Sequence, residues 1–201
     1  PQMTQVPGAA DHAVPVKPIT QFNQRWLALL ERVRQHAGAT TIAVVGGGAG
    51  GVELTLAMQH RLRNELRAQG RHPDELHFHL FTASADILPT HNPGVRRRFE
   101  QVLAARGVHV HRHAEVTEVT AGQLTAADGQ TLLADEIVWV TQAGGAPWLR
   151  DTGLTLDAQG FVAVNDYLQT LDDSRIFAAG DCGQAAGESR CVCRAHGPAP
   201  G

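Results

Sequence analysis

Lysine, tyrosine and long apolar runs are scarce in this chain of 201 residues. Lys17 is the only lysine, one tyrosine is present, and the other basic residues are arginine. The formal net charge of −3 excludes a strong electrostatic attraction to nucleic acid or to an anionic membrane surface. No apolar run approaches the length that spans a bilayer. A hydrophobic content of 43% with 18% charged residues is instead typical of an ordinary globular protein.

Cysteine is scarce too, and its distribution is informative. Cys182, Cys191 and Cys193 are the only three, and they are crowded near the C-terminus. An odd number argues against a disulfide scaffold and favours a reducing compartment. The Cys-Val-Cys pair also lacks the two-residue spacer of a redox or zinc pair. We therefore expect a cytoplasmic protein. Peripheral association of the intact protein with a membrane is the alternative.

The first two thirds of the chain alternate helix and strand patterns. Residues 1–18 read as loop, and a helix runs from Ile19 to a stop at Gly38. The pattern then predicts strands at 41–45, 76–82 and 108–113, separated by a helix over 52–70 and by a helix from Asn92-Pro93 to Gly107. This βαβαβ order predicts an α/β fold with a Rossmann-like, doubly wound parallel sheet.

After residue 116 the pattern becomes antiparallel. Short alternating strands surround an Asp128-Gly129 turn, which is a hairpin signal. The apolar strand 136–140 follows, and another extended segment is expected at 160–164. The order predicts an antiparallel β-meander, after which the chain returns to the main sheet.

Five of the six residues from Gly46 to Gly51 are glycine, directly between a predicted strand and a predicted helix. Gly46, Gly48 and Gly51 fit the pattern G-x-G-x-x-G. The first glycine allows a tight turn, the second lets the backbone approach a pyrophosphate, and the third lets the helix pack close to the strand. The helix N-terminus adds free N–H groups and a positive dipole end. A dinucleotide site is predicted, with a glycine-rich turn that binds nothing as the alternative.

The expected ribose-binding position carries no acid. NAD-preferring sites usually have Asp or Glu at the end of the second strand, whereas this strand ends in Thr82-Ala83-Ser84, with Asp86 further on. Thr82 could form a weaker hydrogen bond to the ribose. No arginine lies close behind the strand to bind a 2′-phosphate, since Arg96, Arg97 and Arg98 belong to the next helix. The choice between NADH and NADPH is therefore left open.

Histidines alternate on two predicted strands. His77 and His79 lie on the second strand, and His109, His111 and His113 on the third, so several imidazoles could share one face of the sheet. A zinc or copper site is conceivable, but no Cys, Asp or Glu accompanies them within the strands. Polar positions on the sheet are the favoured interpretation, and no metal ligand is predicted.

Three segments together resemble the pyridine nucleotide–disulfide oxidoreductase superfamily. Residues 44–54, "VVGGGAGGVEL", resemble its NAD(P)H-binding loop, in which a glutamate follows two residues after the last glycine. Residues 135–145, "DEIVWVTQAGG", resemble the strand and turn by which the chain leaves the NAD(P)H domain. Residues 170–182, "TLDDSRIFAAGDC", resemble the second FAD motif, whose aspartate bonds the ribityl–phosphate region of the flavin.

The resemblance implies which residues form the site. It places Glu53 near the nicotinamide–flavin junction as the candidate catalytic residue. The alternative is that Glu53 is a first-turn acid matched to the helix dipole. The implied cofactor-binding residues are Gly46, Gly47, Gly48, Gly51, Thr82, Ala143, Gly144, Gly180 and Asp181.

The segments 12–22, 89–111 and 140–170 are most similar to the type II NADH dehydrogenase-like branch. Within it they best match the FAD-dependent oxidoreductase module that some bacteria fuse to selenide, water dikinase. In this family the NAD(P)H-binding domain is inserted into the FAD domain, which the chain begins and later completes. The resemblance therefore implies three parts here. Residues 1–37 end the first FAD segment and its connecting helix, residues 38–145 form the NAD(P)H-binding domain, and residues 146–201 return to a truncated FAD domain. The first FAD glycine motif is not in the sequence, so the chain is expected to be a fragment.

For an intact protein the resemblance implies hydride transfer from NAD(P)H to FAD and then to a quinone-like or other small-molecule acceptor. The dithiol pair of the family is absent from the sequence, so disulfide reduction is not expected. A non-catalytic dinucleotide-binding module and an inactive remnant are the alternatives. A homodimer or a partner chain could cover the incomplete FAD domain.

Residues 187–201 do not continue the helix that the family has at this place. Back-translation of Cys191 to His196, read one base later, allows Val-Tyr-Ala-Val-Arg-Met or close variants, a string that resembles the family at this place. We hypothesise a frameshift, with a disordered, proline-rich terminus as the alternative.

Overall fold

The computed structural model describes residues 3–36, 38–140 and 145–185. The chain divides into two compact units, Pro1–Ala143 and Gly144–Gly201. The predicted aberrant tail, 187–201, lies outside the described residues.

The larger unit holds four α-helices and eight strands among its described residues. The helices are α1 (Ala9–His12), α2 (Ile19–Gln35), α3 (Ala49–Ala68) and α4 (Pro93–Ala105). The strands are β1 (Val14–Pro15), β2 (Thr40–Val45), β3 (Leu76–Phe81), β4 (Val108–His111), β5 (Val116–Thr120), β6 (Gln123–Ala126), β7 (Thr131–Leu133) and β8 (Glu136–Trp139). Within the ranges that the structure describes, no helix has both the length and the apolarity needed to cross a membrane.

The main sheet is parallel, with the strand order β1-β8-β2-β3-β4. At its centre Val44 of β2 is in register with Leu80 of β3 on one side and with Val138 of β8 on the other. The chain runs outward from β2 to β4 and then returns to pair β8 with the opposite edge of β2. This arrangement confirms the predicted α/β fold and the predicted return to the main sheet.

The two faces of β2 are buried by different partners, which explains why the strand is apolar throughout. Ile42 and Val44 pack into a core with residues of α2, α3 and α4, whereas Ala43 and Val45 face a second core that includes residues of β5 and β6. All four side chains are at most 5% exposed. Alternate residues of a strand point to opposite faces, so the result is three layers: helices, sheet and meander.

The meander forms as predicted. Strands β5, β6 and β7 pair antiparallel in sequence order. Gly129 has a φ of 84°, a left-handed conformation that favours glycine in the turn between β6 and β7. Val119 and Leu124 are buried with Trp139 of the main sheet, so this small sheet covers one face of the large one.

Local signals set the start of α4, and tertiary contacts override the loop prediction near the N-terminus. The side chain of Asn92 accepts a hydrogen bond from the Val95 amide at 3.0 Å, as expected for a helix cap. The loop prediction for residues 1–18 is wrong, because α1 and β1 form there. Val14 pairs with Val138 at the edge of the sheet, and Ala9 is fully buried in the same core as Val119. Val138 and Val119 are both far from these residues in the sequence.

The smaller unit is built around a two-stranded parallel sheet of β9 (Val162–Val164) and β10 (Gly183–Ala185). The strand β9 agrees with the extended segment expected at 160–164. Leu149, Val162, Val164 and Ala178 form its core. The assignment of residues 1–37 and 146–201 to an FAD domain stays a prediction.

Candidate dinucleotide site

The glycine loop joins the carboxyl end of β2 to the start of α3 and is held from both sides. Gly46 has a φ of 131°, and its amide donates to the carbonyl oxygen of Phe81 at 2.9 Å, which extends the pairing of β2 with β3. The carbonyl oxygen of Gly47 accepts a hydrogen bond from the Leu88 amide at 2.7 Å. The loop is therefore fixed by backbone contacts before any ligand binds.

Gly51 and Gly48 have different surroundings. A Cβ on Gly51 would lie 1.7 Å from the carbonyl oxygen of Gly46, so the helix packs directly against the loop. A Cβ on Gly48 would meet no atom of the described residues within 4 Å, and its φ of −75° suits any residue. The described part of the fold does not need a glycine at position 48, whereas close approach of a ligand to the backbone would need one.

The first amides of α3 have no capping side chain among the described residues. The helix has 20 residues, its cap residue is Gly48 with no side chain to accept from the first amides, and no acidic residue lies in the first turn. No acidic residue of the first turn therefore offsets the positive end of the helix dipole. Such a terminus is an anion site suited to a pyrophosphate.

The position of the loop in the sheet also favours a nucleotide. The chain runs from β2 toward β4 on one side, and β8 lies on the other, so the strand order reverses beside β2. Ligands of open α/β sheets bind at the carboxyl ends of the strands at this reversal. The side chain of Val140, just after β8, lies 3.5 Å from the Cβ position of Gly50, so the end of β8 and the start of α3 are adjacent.

Thr82 follows directly after β3 and lies against the loop. It is 5% exposed, and a Cβ on Gly47 would lie 2.5 Å from both its Cβ and its Oγ1. The Thr82 hydroxyl accepts a hydrogen bond from the Ser84 amide at 3.3 Å. The structure brings Thr82 to the glycine loop, and its contact with a ribose stays a prediction.

Glu53 is exposed on α3. Because the helix begins at Ala49, Glu53 is its fifth residue, and no acid lies in the first turn. The alternative interpretation of Glu53 as a first-turn acid is therefore wrong, since the predicted helix start was placed three residues too late. Its catalytic role stays a prediction.

The other predicted cofactor residues fall elsewhere. Ala143 and Gly144 lie outside the described residues. Gly180, with a φ of 68°, and Asp181 lie on a short 3₁₀ helix, Gly180–Cys182, in the smaller unit. Their proposed contact with FAD stays a prediction.

Leu88 is a site residue that sequence reasoning missed. It adopts a φ of 52°, which is uncommon for a branched residue, and its side chain is 3% exposed in the helix-side core. This conformation aims its amide at Gly47. No local sequence signal marks it, because leucine gives no hint of a positive φ.

The histidines form a stacked array on the meander side of β3 and β4. His79 Nδ1 lies 2.9 Å from His111 Nε2, and the His79 ring stacks on His109 with centroids 5.0 Å apart. Burial lowers the pKa of His79 to about 4, with further lowering from His111, His109 and His77. Within the described residues, no three His, Cys, Asp or Glu side chains are placed to hold a metal ion.

Comparison with known proteins identifies similar chains. The type II NADH:quinone oxidoreductase of Haemophilus influenzae is 32% identical over 145 residues, which cover 70% of this chain and 32% of that protein. The NADH dehydrogenase-like protein YutJ of Bacillus subtilis is 26% identical over 177 residues, or 88% of this chain and 45% of that protein. The chain thus spans less than half the length of these relatives.

A solved structure supports the fold, and a family profile supplies the assignment. The structure of NDH2 from Plasmodium falciparum in complex with NADH superposes with a TM-score of 0.73 at 17% identity, covering 92% of this chain and 42% of that one. The profile of the family described as pyridine nucleotide-disulphide oxidoreductase matches residues 1–197. The chain therefore belongs to the pyridine nucleotide-disulphide oxidoreductase family.

Proposed function

We propose that this chain is the NAD(P)H-binding part of a FAD-dependent oxidoreductase. The observation that supports the proposal is the difference between two glycines of the loop: the Cβ position of Gly51 is occupied, and that of Gly48 is open. Gly51 is glycine because Gly46 packs against it, and Gly48 is glycine although none of the residues that the structure describes has an atom within 4 Å of its Cβ position. A bound pyrophosphate at the N-terminus of α3 accounts for the second.

The residues of the larger unit have distinct roles in this proposal. The amides at the start of α3 bind the pyrophosphate, Thr82 contacts the adenosine ribose, and Glu53 lies toward the nicotinamide end. When bound, the nicotinamide supplies a hydride from its C4 to the flavin N5. The hydrogen bonds of Gly46 to Phe81 and of Leu88 to Gly47 hold the loop ready for the phosphates.

We assign the flavin and its acceptor by family membership and by the relatives. Gly180 and Asp181 of the second FAD-like motif would contact FAD, together with a glycine loop that this sequence does not contain. A relative at 32% identity is a NADH:quinone oxidoreductase, which favours a quinone-like acceptor. A fusion to selenide, water dikinase and a cytoplasmic location are finer parts of the same proposal, and they rest on sequence resemblance.

The test of nucleotide binding is a fluorescence titration of the full chain with NADH. Gly48→Ala is expected to weaken binding at least tenfold while the melting temperature stays unchanged, because the added methyl group would meet the ligand but none of the described protein atoms. Unchanged binding by Gly48→Ala would show that no phosphate approaches this backbone.

Flavin content then separates an enzyme from a binding module. A yellow preparation whose flavin absorbance bleaches with NADH supports the oxidoreductase. A colourless chain that binds NADH fits a non-catalytic module, and a chain that binds neither fits an inactive remnant.

A further inference from the structure

We propose that the ribose end of this site accepts NADH and NADPH with similar affinity, because Thr82 stands where a discriminating carboxylate would be. This inference rests on the proposed function, since it assumes that the glycine loop binds a pyridine nucleotide. The inference concerns the relative affinity of the site for NADH and NADPH.

The position of Thr82 is fixed by its backbone. Its amide donates to the carbonyl oxygen of His111 at 2.9 Å, and its own carbonyl oxygen accepts from the Ala114 amide at 2.9 Å. Its side chain is wedged against Gly47. Thr82 therefore cannot move aside for another residue of the loop, and it is the side chain that a ribose bound over Gly47 would meet.

The hydrogen-bonding capacity of Thr82 suits both cofactors. A hydroxyl has one donor and two acceptor lone pairs, and the Ser84 amide uses one lone pair. The proton of the Thr82 hydroxyl can thus be donated to a ribose 2′-hydroxyl or to a 2′-phosphate oxygen. A carboxylate could only accept, and it would repel the phosphate.

The surroundings of Thr82 neither repel nor clasp a phosphate. Ala83, Ser84 and Ala85 are small and exposed, which leaves room for the added group. Two nearby charged residues in the sequence are held in ion pairs: Asp86 with Arg96 at 3.2 Å, and Arg112 with Glu100 at 2.9 Å. We therefore expect tolerance of the phosphate rather than a preference for it.

The test compares NADH with NADPH, and ADP-ribose with 2′-phospho-ADP-ribose, in binding titrations of the full chain. Dissociation constants within about tenfold of each other for each pair support the inference. A larger ratio in either direction overturns it but leaves the proposed function standing. Failure to bind any of the four ligands overturns the proposed function and this inference together.

Two variants locate the effect at this segment. Thr82→Asp, which is close to threonine in size, is expected to weaken NADPH binding at least tenfold and to keep NADH binding. Thr131→Asp on β7 adds the same charge at an exposed site and should leave the NADH/NADPH ratio unchanged. Equal loss of both cofactors in a Thr82→Asp chain that melts normally would overturn the inference.

Ala83→Arg provides a second variant at an exposed position that the fold tolerates. A guanidinium beside Thr82 is expected to tighten binding of NADPH and 2′-phospho-ADP-ribose at least tenfold over their unphosphorylated counterparts. An unchanged ratio would mean that the 2′ position lies away from this segment, which overturns the inference even if Thr82→Asp fails to fold.

Discussion

The carbonyl oxygen of Gly46 lies 1.7 Å from the position that a Cβ on Gly51 would occupy. The first and last glycines of the motif are thus in direct contact, and this contact sets how closely α3 packs on the end of β2. In this segment the backbone packing requires glycine at position 51, whereas no described atom lies near the Cβ position of Gly48.

Gly51→Ala is expected to destabilise the chain by about 2–3 kcal/mol, because the loop or the helix must shift to admit the methyl group. Denaturant unfolding measures the loss. Gly50→Ala is the matched control, since its Cβ would make only an ordinary contact at 3.5 Å with Val140, and replacing a helical glycine can stabilise by up to about 1 kcal/mol. Equal effects of the two substitutions would contradict the proposed packing.

Gly47 and Thr82 should be energetically coupled. Gly47→Ala alone places a methyl group against the Thr82 side chain, with a Cβ–Cβ distance of 2.5 Å, so it should be strongly destabilising. In the double variant with Thr82→Gly the clash is gone, and the combined loss should be smaller than the sum of the single losses by at least about 1 kcal/mol. Urea unfolding of the four chains measures this coupling, and additive losses would refute it.

His79 should make stability fall as the pH is lowered. Its pKa is about 4 in the folded chain and 6.5 for an ordinary histidine. As the pH falls, His79 therefore binds a proton in the unfolded chain before it does so in the folded chain. Stability is expected to be complete above pH 6.5 and to decline as the pH falls toward 4, by about 1 kcal/mol from this residue after allowing for solvent screening. The free energy of unfolding, measured at several pH values, tests this.

His79→Gln keeps a hydrogen-bonding group opposite His111 and removes the titration. Its stability should change less between pH 6.5 and 4 than that of the unsubstituted chain. His60→Gln removes an exposed histidine of α3 and should retain the original pH dependence. A His79→Gln chain that loses as much stability as the original would show that another group is responsible.

Glu136 at the start of β8 is held by two arginines of α2. Its side chain is 3% exposed, and its carboxylate accepts from Arg25 at 3.2 Å and from Arg32. Either Arg25→Met or Arg32→Met alone should cost about 1 kcal/mol or less, whereas the double variant should cost more than the sum, about 2–3 kcal/mol, because it leaves a buried charge unpaired.

Thermal and urea unfolding of these variants measures the effect. Arg175→Met removes an exposed arginine paired with Asp173 and should leave stability unchanged. Strictly additive losses at Arg25 and Arg32 would mean that neither arginine compensates at Glu136 for the loss of the other.

Features encoded within a few neighbouring residues were predictable from the sequence. The βαβαβ order, the Asn92 cap and the Asp128-Gly129 turn each depend on local periodicity or turn chemistry, and the structure confirms them. The spacing of Gly46, Gly48 and Gly51 also predicts a dinucleotide loop, and the binding of a dinucleotide there stays a prediction.

Contacts between segments far apart in sequence were decided only by the tertiary structure. The pairing of Val14 with Val138, the wedge of Thr82 against Gly47 and the bond from Leu88 to Gly47 join residues that no local pattern links. The sequence determined that the chain has a glycine loop between strand and helix, because glycine spacing is a local requirement of the backbone. Only the packing of the sheet decided what surrounds that loop, because strand order and burial depend on the whole chain at once.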